Sequence, residues 1–169
     1  MLLEMKVFAI TIDPLTNAPI VILKDNDDEN TLPVWIGVLE AGAIASEIEN
    51  IQFSRPMTHD LFTNLLRAVD MKLKSVEITD IIENVYYANL QIASETKGTF
   101  TIDARPSDAI AIALRMEAPI YVDTIVLDKS RDIDIGAVTG RDNEKRPGEG
   151  ESLELLEDMS PEDFGKYKM

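Results

Sequence analysis

The stretch Ala109-Ile110-Ala111-Ile112-Ala113-Leu114, inside a helix expected over 108–115, constrains the fold more than any other feature of the chain. A helix that is apolar almost all round is stable in water only when neighbouring elements cover it on more than one side. The remaining elements must therefore enclose it. Before it the hydrophobic period changes twice. Leu3, Met5, Val7 and Ala9 alternate with Glu4, Lys6, Phe8 and Ile10 as a strand of mixed polarity. Asp13-Pro14 and Asn17-Ala18-Pro19 mark a turn, 20–23 reads as the return strand, and 32–36 as a third. Pro33 has no backbone donor, which puts that strand at an edge or at its own start.

From Gly37 the spacing becomes helical, with Ala41, Ile44, Ala45, Ile48 and Ile51 on one side. A second helix follows Thr58, with Leu61, Phe62, Leu65, Leu66 and Val69 as its apolar stripe. Strands are expected over 73–82, 85–93 and 99–103, joined at Glu83-Asn84 and around Lys97-Gly98, and a short strand over 120–122 closes the compact part. The order βββ-αα-βββ-α-β defines an α+β fold, a mixed or antiparallel sheet packed with three main helices. Residues 1–125 form the domain, and 126–169 an acidic polar tail. Within the tail, 141–151 has a linker's composition. Ser160-Pro161-Glu162-Asp163 starts a short helix near 161–167, with Phe164 and Tyr167 on its docking side.

Charge narrows the partners. Sixteen Lys and Arg face 31 Asp and Glu, a net charge of −15. Up to Val122 there are nine basic against 18 acidic residues, and after it seven against 13, so the acidity is spread over the whole chain. A polyanion is repelled by such a field unless a local basic site or bound cations offset it, which excludes a broadly basic nucleic-acid binder. The absence of cysteine excludes disulfides, Cys-based zinc sites and thiol nucleophiles. No apolar run approaches the roughly 20 residues of a membrane span, and the N-terminus lacks the pattern of a secretory signal. The expected location is cytoplasmic. The acidic stretch 25–30 departs from a calcium loop, with Asn30 where Gly is needed and Ile36 where Glu is needed. It reads as a solvated hairpin tip.

Two short stretches resemble each other: Arg55-Pro56-Met57-Thr58-His59-Asp60 and Arg105-Pro106-Ser107-Asp108. Each sets an Arg-Pro pair, a hydroxyl residue and an aspartate at a helix start. Thr58 and Ser107 can cap the first-turn amides, and Asp60 and Asp108 suit the positive end of each dipole. Two capped helix starts need these residue types, and each Arg could simply pair with an Asp. Alternatively, arginine forks beside helix-start amides make a site for phosphate or carboxylate. His59, the only histidine, is the natural base or metal ligand near neutral pH. Glu40, Asp60, Asp103 and Asp108 offer hard oxygen ligands that suit Mg²⁺ or Mn²⁺.

At these residues the chain resembles the bifunctional nuclease domain family. The resemblance rests on Leu32-Pro33-Val34-Trp35-Ile36-Gly37 with Glu40-Ala41, on 55–61, on Asp103-Ala104-Arg105-Pro106-Ser107-Asp108-Ala109-Ile110-Ala111, and on Ala118-Pro119-Ile120-Tyr121-Val122. It covers most of residues 5–125. It implies an α+β fold that self-associates, nuclease activity on DNA and RNA, and a shared site of Glu40, Arg55, Thr58, His59, Asp60, Asp103, Arg105, Ser107 and Asp108. In the expected assignment His59, Asp60, Asp108 and Glu40 are catalytic, and Asp60, Asp103 and Asp108 hold Mg²⁺ or Mn²⁺. Arg55, Arg105, Thr58 and Ser107 bind the substrate phosphate. Some bacterial members carry a basic UVR-like C-terminal segment, where this chain has an acidic tail. That departure and the charge of −15 favour the rival expectation, a non-catalytic anion- or partner-binding regulatory module. A third reading makes both motifs structural, at an oligomer interface.

Overall fold

Residues 1–27 and 29–131 are described by a computed structural model. The elements run β1 (Leu2–Ile12), β2 (Pro19–Asp25), β3 (Thr31–Trp35), α1 (Val38–Ile48), α2 (Thr58–Ala68), β4 (Met71–Ile82), β5 (Val85–Ser94), β6 (Gly98–Ala104), α3 (Pro106–Met116), β7 (Ile120–Asp123) and α4 (Thr124–Arg131). The class is α+β, and the order follows the expected one up to β7. Among the described residues no helix is long and apolar enough to cross a membrane.

The apolar helix, α3, sits where its composition requires. Ala109 to Ala113 are all buried, with α1 and α2 on its flanks and β4 and β5 beneath. The seven strands form one sheet in the order β3-β2-β1-β7-β4-β5-β6. Every pairing is antiparallel except β4 with β7, which is parallel, so the sheet is mixed. Between β4 and β5 the chain turns through Glu83 and Asn84, both at positive φ (50° and 63°). Such a two-residue turn matches the twist of its flanking strands. The sheet curls: the Tyr86 hydroxyl on β5 donates to the Pro33 carbonyl on β3 at 2.9 Å, although four strands separate the two in sheet order. Pro33 therefore lies on an edge strand, as its missing donor requires. At the tip between β2 and β3, the Asn30 side chain donates to the Asp25 carboxylate at 2.7 Å.

Beyond β7, α4 packs on β3, β4 and β7 and buries Val126 and Leu127 in the core. Three local expectations are corrected. On α1 the buried residues are Ala43, Ile44 and Ser46, a face rotated from the expected stripe. That face meets α3, and small side chains let the two backbones approach closely. On α2 only two of the five stripe residues are covered: Leu66 is buried and Phe62 packs partly, whereas Leu61, Leu65 and Val69 are exposed. Finally, Thr58 and Ser107 are not the caps. The N-cap positions belong to Met57 and Arg105, because Pro106 takes the first helical position of α3 and pushes Ser107 inside. The Asp60 carboxylate instead reaches back to accept the Met57 amide at 2.8 Å. The short helix expected near 161–167 lies outside the described residues.

Candidate functional site

The starts of α1, α2 and α3 converge, and this convergence builds the site. α1 is capped by Gly37, where a Cβ would meet the Glu40 carboxylate in its present place. The glycine thus lets Glu40, in the first turn, fold back over its own helix start. On α3, Pro106 holds Arg105 in an extended conformation (φ −68°, ψ 144°), which turns its side chain across the helix entrance. There the guanidinium engages two carboxylates. Nε donates to Asp108 Oδ2 at 2.9 Å, Nη2 to Asp108 Oδ1 at 3.3 Å, and Nη1 to Glu40 Oε1 at 2.9 Å.

Asp108 also takes a bond from α2. His59 Nε2 lies 3.1 Å from Asp108 Oδ1. An ionised carboxylate can only accept, so Nε2 carries the hydrogen and Nδ1 is left as the ring's acceptor. Among the described residues Nδ1 has no protein partner. Partial burial pushes the Asp108 carboxyl up, but the hydrogen bonds from Arg105 and His59 outweigh it and hold the group below the usual carboxylate range. Asp108 is therefore an anion at neutral pH, fixed between a permanent cation and the imidazole.

These four side chains form the polar end of a cleft of about 570 Å³. Its walls are mainly apolar, from Leu39, Ala43, Ile51, Phe53 and Met57. Beyond the Glu40–Arg105 bridge lies a second depression of about 360 Å³, bordered by Trp35, Tyr86 and Ser107. The ion pair lines both and divides them.

The Arg55-Pro56 motif supplies only its histidine to this array. Asp60 turns the other way, to Arg115 at the last turn of α3, whose Nε donates to Asp60 Oδ1 at 2.6 Å. Arg115 is the buried cation of the molecule's described part: its side chain is 5% exposed, and Nη1 donates to the Ala43 and Ala111 carbonyls, both at 3.0 Å. This one guanidinium ties α1, α2 and α3 together. Burial works to raise the Asp60 pKa, yet the Arg115 bond and the Met57 amide hold it low. Sequence reasoning passed over Arg115. The available signal was a lone cation ending an apolar helix, seven residues and two turns after Asp108, hence on the same face.

The expected residues thus separate into groups. Glu40, His59, Arg105 and Asp108 come together, and Thr58 lines the cleft beside them. Ser107 is buried and borders the second depression. Arg55 is exposed, and no hydrogen bond or ion pair to it is found among the described residues. Asp103 is exposed on β6, opposite Asn89. The expected metal set of Asp60, Asp103 and Asp108 is therefore not gathered. Among the described residues no group of three or more His, Asp or Glu side chains is arranged to hold a metal ion. The reason is topological: Asp103 lies on the sheet, and Asp60 is paired with Arg115, two turns along α3 from Asp108.

The fold and this site define a small α+β domain with a histidine–carboxylate–arginine array at converging helix starts. The chain belongs to the bifunctional nuclease domain family, whose domain matches residues 21–134. An uncharacterized protein of Mycobacterium tuberculosis is 37% identical over 169 residues, 95% of this chain and 97% of that one. Bifunctional nuclease 2 of Oryza sativa subsp. japonica is 30% identical over 108 residues, and bifunctional nuclease 2 of Arabidopsis thaliana 26% over 124. These cover 62% and 70% of this chain but only 33% and 38% of the plant proteins. The array of Glu40, His59, Arg105 and Asp108 falls inside the matched segment.

Proposed function

We propose that this chain is a nuclease that hydrolyses phosphodiester bonds of DNA and RNA in the cytosol, with the polar end of the 570 Å³ cleft as its active site. The observation that carries this reading is the His59–Asp108 pair at 3.1 Å, inside a domain shared with proteins named bifunctional nucleases. Asp108 fixes the ring tautomer, so that Nδ1 of His59 is the base that accepts a proton from the attacking water. The resulting imidazolium is stabilised by the Asp108 carboxylate and can return the proton to the leaving oxygen. Arg105, held beside the pair, supplies guanidinium hydrogens to the negative charge that develops on the phosphoryl oxygens. Thr58 sits where it can bond a non-bridging oxygen, and exposed Arg55 can meet a neighbouring phosphate. Mg²⁺ or Mn²⁺ assistance is a separate proposal. With Asp60 and Asp103 directed elsewhere, an ion would rest on Glu40 and Asp108 and would compete there with Arg105.

The test is cleavage of labelled single-stranded DNA and RNA by the wild type, His59→Ala and Asp108→Asn, each with Mg²⁺, with Mn²⁺ and with EDTA. Loss of general acid–base catalysis predicts a fall of about 100-fold or more for His59→Ala with the fold intact. Equal cutting by all three proteins moves the site away from His59, and no cutting by the folded wild type overturns the reading.

One observation favours the regulatory alternative. All three guanidinium nitrogens of Arg105 already have carboxylate partners, and the cleft walls beyond are apolar. Such a cleft suits a small anion with an apolar body, or a partner's side chain, better than a bare polyanion. In that case inorganic phosphate or a mononucleotide raises the melting temperature of the wild type and not of Arg105→Ala, with no cleavage at all.

A further inference from the structure

Gly42 lies in the interior of α1, where glycine weakens a helix relative to alanine. Packing does not require it. A Cβ there would meet no atom of the described residues within 4 Å beyond its own helix turn. What the missing side chain leaves is space in the cleft of about 570 Å³. Gly42 lines that cleft on the helix face that also carries Leu39, Ala45 and Ser46, at spacings of three and four residues. Ile51, Phe53 and Met57 complete the apolar walls, and Leu39 is left 75% exposed. A concave apolar cleft with a few convergent polar groups at one end is the usual form of a small-ligand site.

The charges at the polar end limit what can fill it. Arg105 faces two carboxylates, those of Glu40 and Asp108, so charge alone holds a phosphate there only weakly. A phosphoester beside His59 must draw its affinity from an apolar body attached to it, and the cleft opens from that same end. In a nucleic acid the flat apolar body nearest each phosphate is a base, whose faces stack on aromatic side chains whatever its identity.

We propose that the space at Gly42 is a nucleobase pocket, taking the base that adjoins the phosphate beside His59, and that the chain therefore acts on unpaired strands. The identity of this occupant rests on the nuclease reading above. Phe53 and Met57 offer aromatic and thioether surface to the base, and the bare backbone at Gly42 gives it room against α1. In a duplex the same base is stacked and paired, and has to be extruded before it can enter. The pocket thus selects for strand state rather than for sequence.

The experiment has two arms, both on the full chain. The first is calorimetric binding of adenosine 5′-monophosphate, adenosine 3′-monophosphate and ribose 5-phosphate to the wild type and to Gly42→Leu. At least one of the two nucleotides should bind the wild type about tenfold or more tighter than ribose 5-phosphate, the margin that stacking one base supplies. Gly42→Leu should erase that margin while melting at or above the wild-type temperature, since leucine favours a helix and meets no neighbour there. The second arm is cleavage by the wild type of a labelled single strand of DNA, of the same strand annealed to its complement, and of the same strand with one abasic site. The single strand should be cut about tenfold or more faster than the duplex, and a bond adjoining the abasic site should be spared. Nucleotides that bind no tighter than ribose 5-phosphate overturn the pocket, and so does a margin that survives Gly42→Leu. Equal cutting of all three substrates also overturns it and leaves the nuclease reading standing. A wild type that cuts nothing, yet shows the margin and its loss in Gly42→Leu, upholds the pocket and overturns the nuclease reading instead.

Discussion

The two Arg-Pro helix starts carry the same residue types in the same order and do different work. At α3 the arginine is tied down, its guanidinium shared between Glu40 and Asp108, and the aspartate is drawn into the cleft beside His59. At α2 the arginine, Arg55, is exposed and has no ion pair among the described residues, and the aspartate is withdrawn from the cleft to the 5% exposed Arg115. One motif thus builds the polar end of a cavity, and the other donates a histidine to it while its aspartate holds three helices together. The difference teaches that a helix-start motif specifies local geometry but not the partner of its charge. The partner is whatever cation the packing brings within about 3 Å, and that depends on the neighbouring helix.

Perturbations of each motif separate these roles, beginning with the largest effect. Arg115→Met keeps the side chain's bulk but removes the guanidinium donors to Asp60 and to the Ala43 and Ala111 carbonyls. Breaking a fully buried pair costs 3–5 kcal/mol, and because Asp60 is partly exposed a loss of about 3 kcal/mol in unfolding free energy is expected in urea. At the other motif, Asp108→Asn removes the anion that holds the imidazole and fixes its tautomer. Cleavage should fall about 100-fold while the urea midpoint moves far less than for Arg115→Met, a contrast read by measuring both in one preparation. If the two variants lose stability equally, the division between a structural and a chemical motif fails.

Acid sharpens the comparison further. Asp60 and Asp108 both have lowered pKa values in the fold, so each contributes stability that is complete above the unfolded-chain value of about 3.9. That contribution is lost as pH falls through the folded value. The urea midpoint should therefore drop steeply below about pH 4, and Asp60→Asn should flatten that part of the profile. Gly37→Ala is expected to act more weakly. The new Cβ forces Glu40 off its place, the Arg105–Glu40 bond opens, and the cost should stay near 1 kcal/mol because the displaced group is the end of a flexible, partly exposed side chain. Arg55→Ala should change stability by less than about 0.5 kcal/mol, and any rise in KM for nucleic acid then assigns it to substrate binding alone.

Much of the fold was legible because hydrophobic period is a local property. The alternation in β1, the helical spacing after Gly37 and the Glu83-Asn84 turn each follow from a few adjacent residues. Where the reading failed, the deciding contact was distant. Leu61 and Leu65 belong to an apolar stripe that α3 is too narrow to cover. Val126 and Leu127 are buried only because the curled sheet leaves a gap between β3 and β4 for α4 to fill. The candidate site divides in the same way. His59, Arg105, Asp108 and Glu40 stood out by residue type and position, while Phe53 and Met57 in the cleft wall carry no local mark of their role, and Arg115 beneath it is marked only as a lone cation ending an apolar helix.

By itself the chain's sequence determined the α+β order, the edge position of Pro33, the enclosed place of α3 and the residue types at both helix starts. Periodicity, proline stereochemistry and the cost of exposing apolar surface act over a few residues and need no knowledge of distant neighbours. Only the tertiary structure decided that Asp108 faces His59 while Asp60 faces Arg115, and that Asp103 stands apart on the sheet. Those outcomes depend on which charges and edges the packing of α3 and the curl of the sheet bring together. Coulombic and hydrogen-bonding partners are chosen by distance in space, which separation along the chain does not encode.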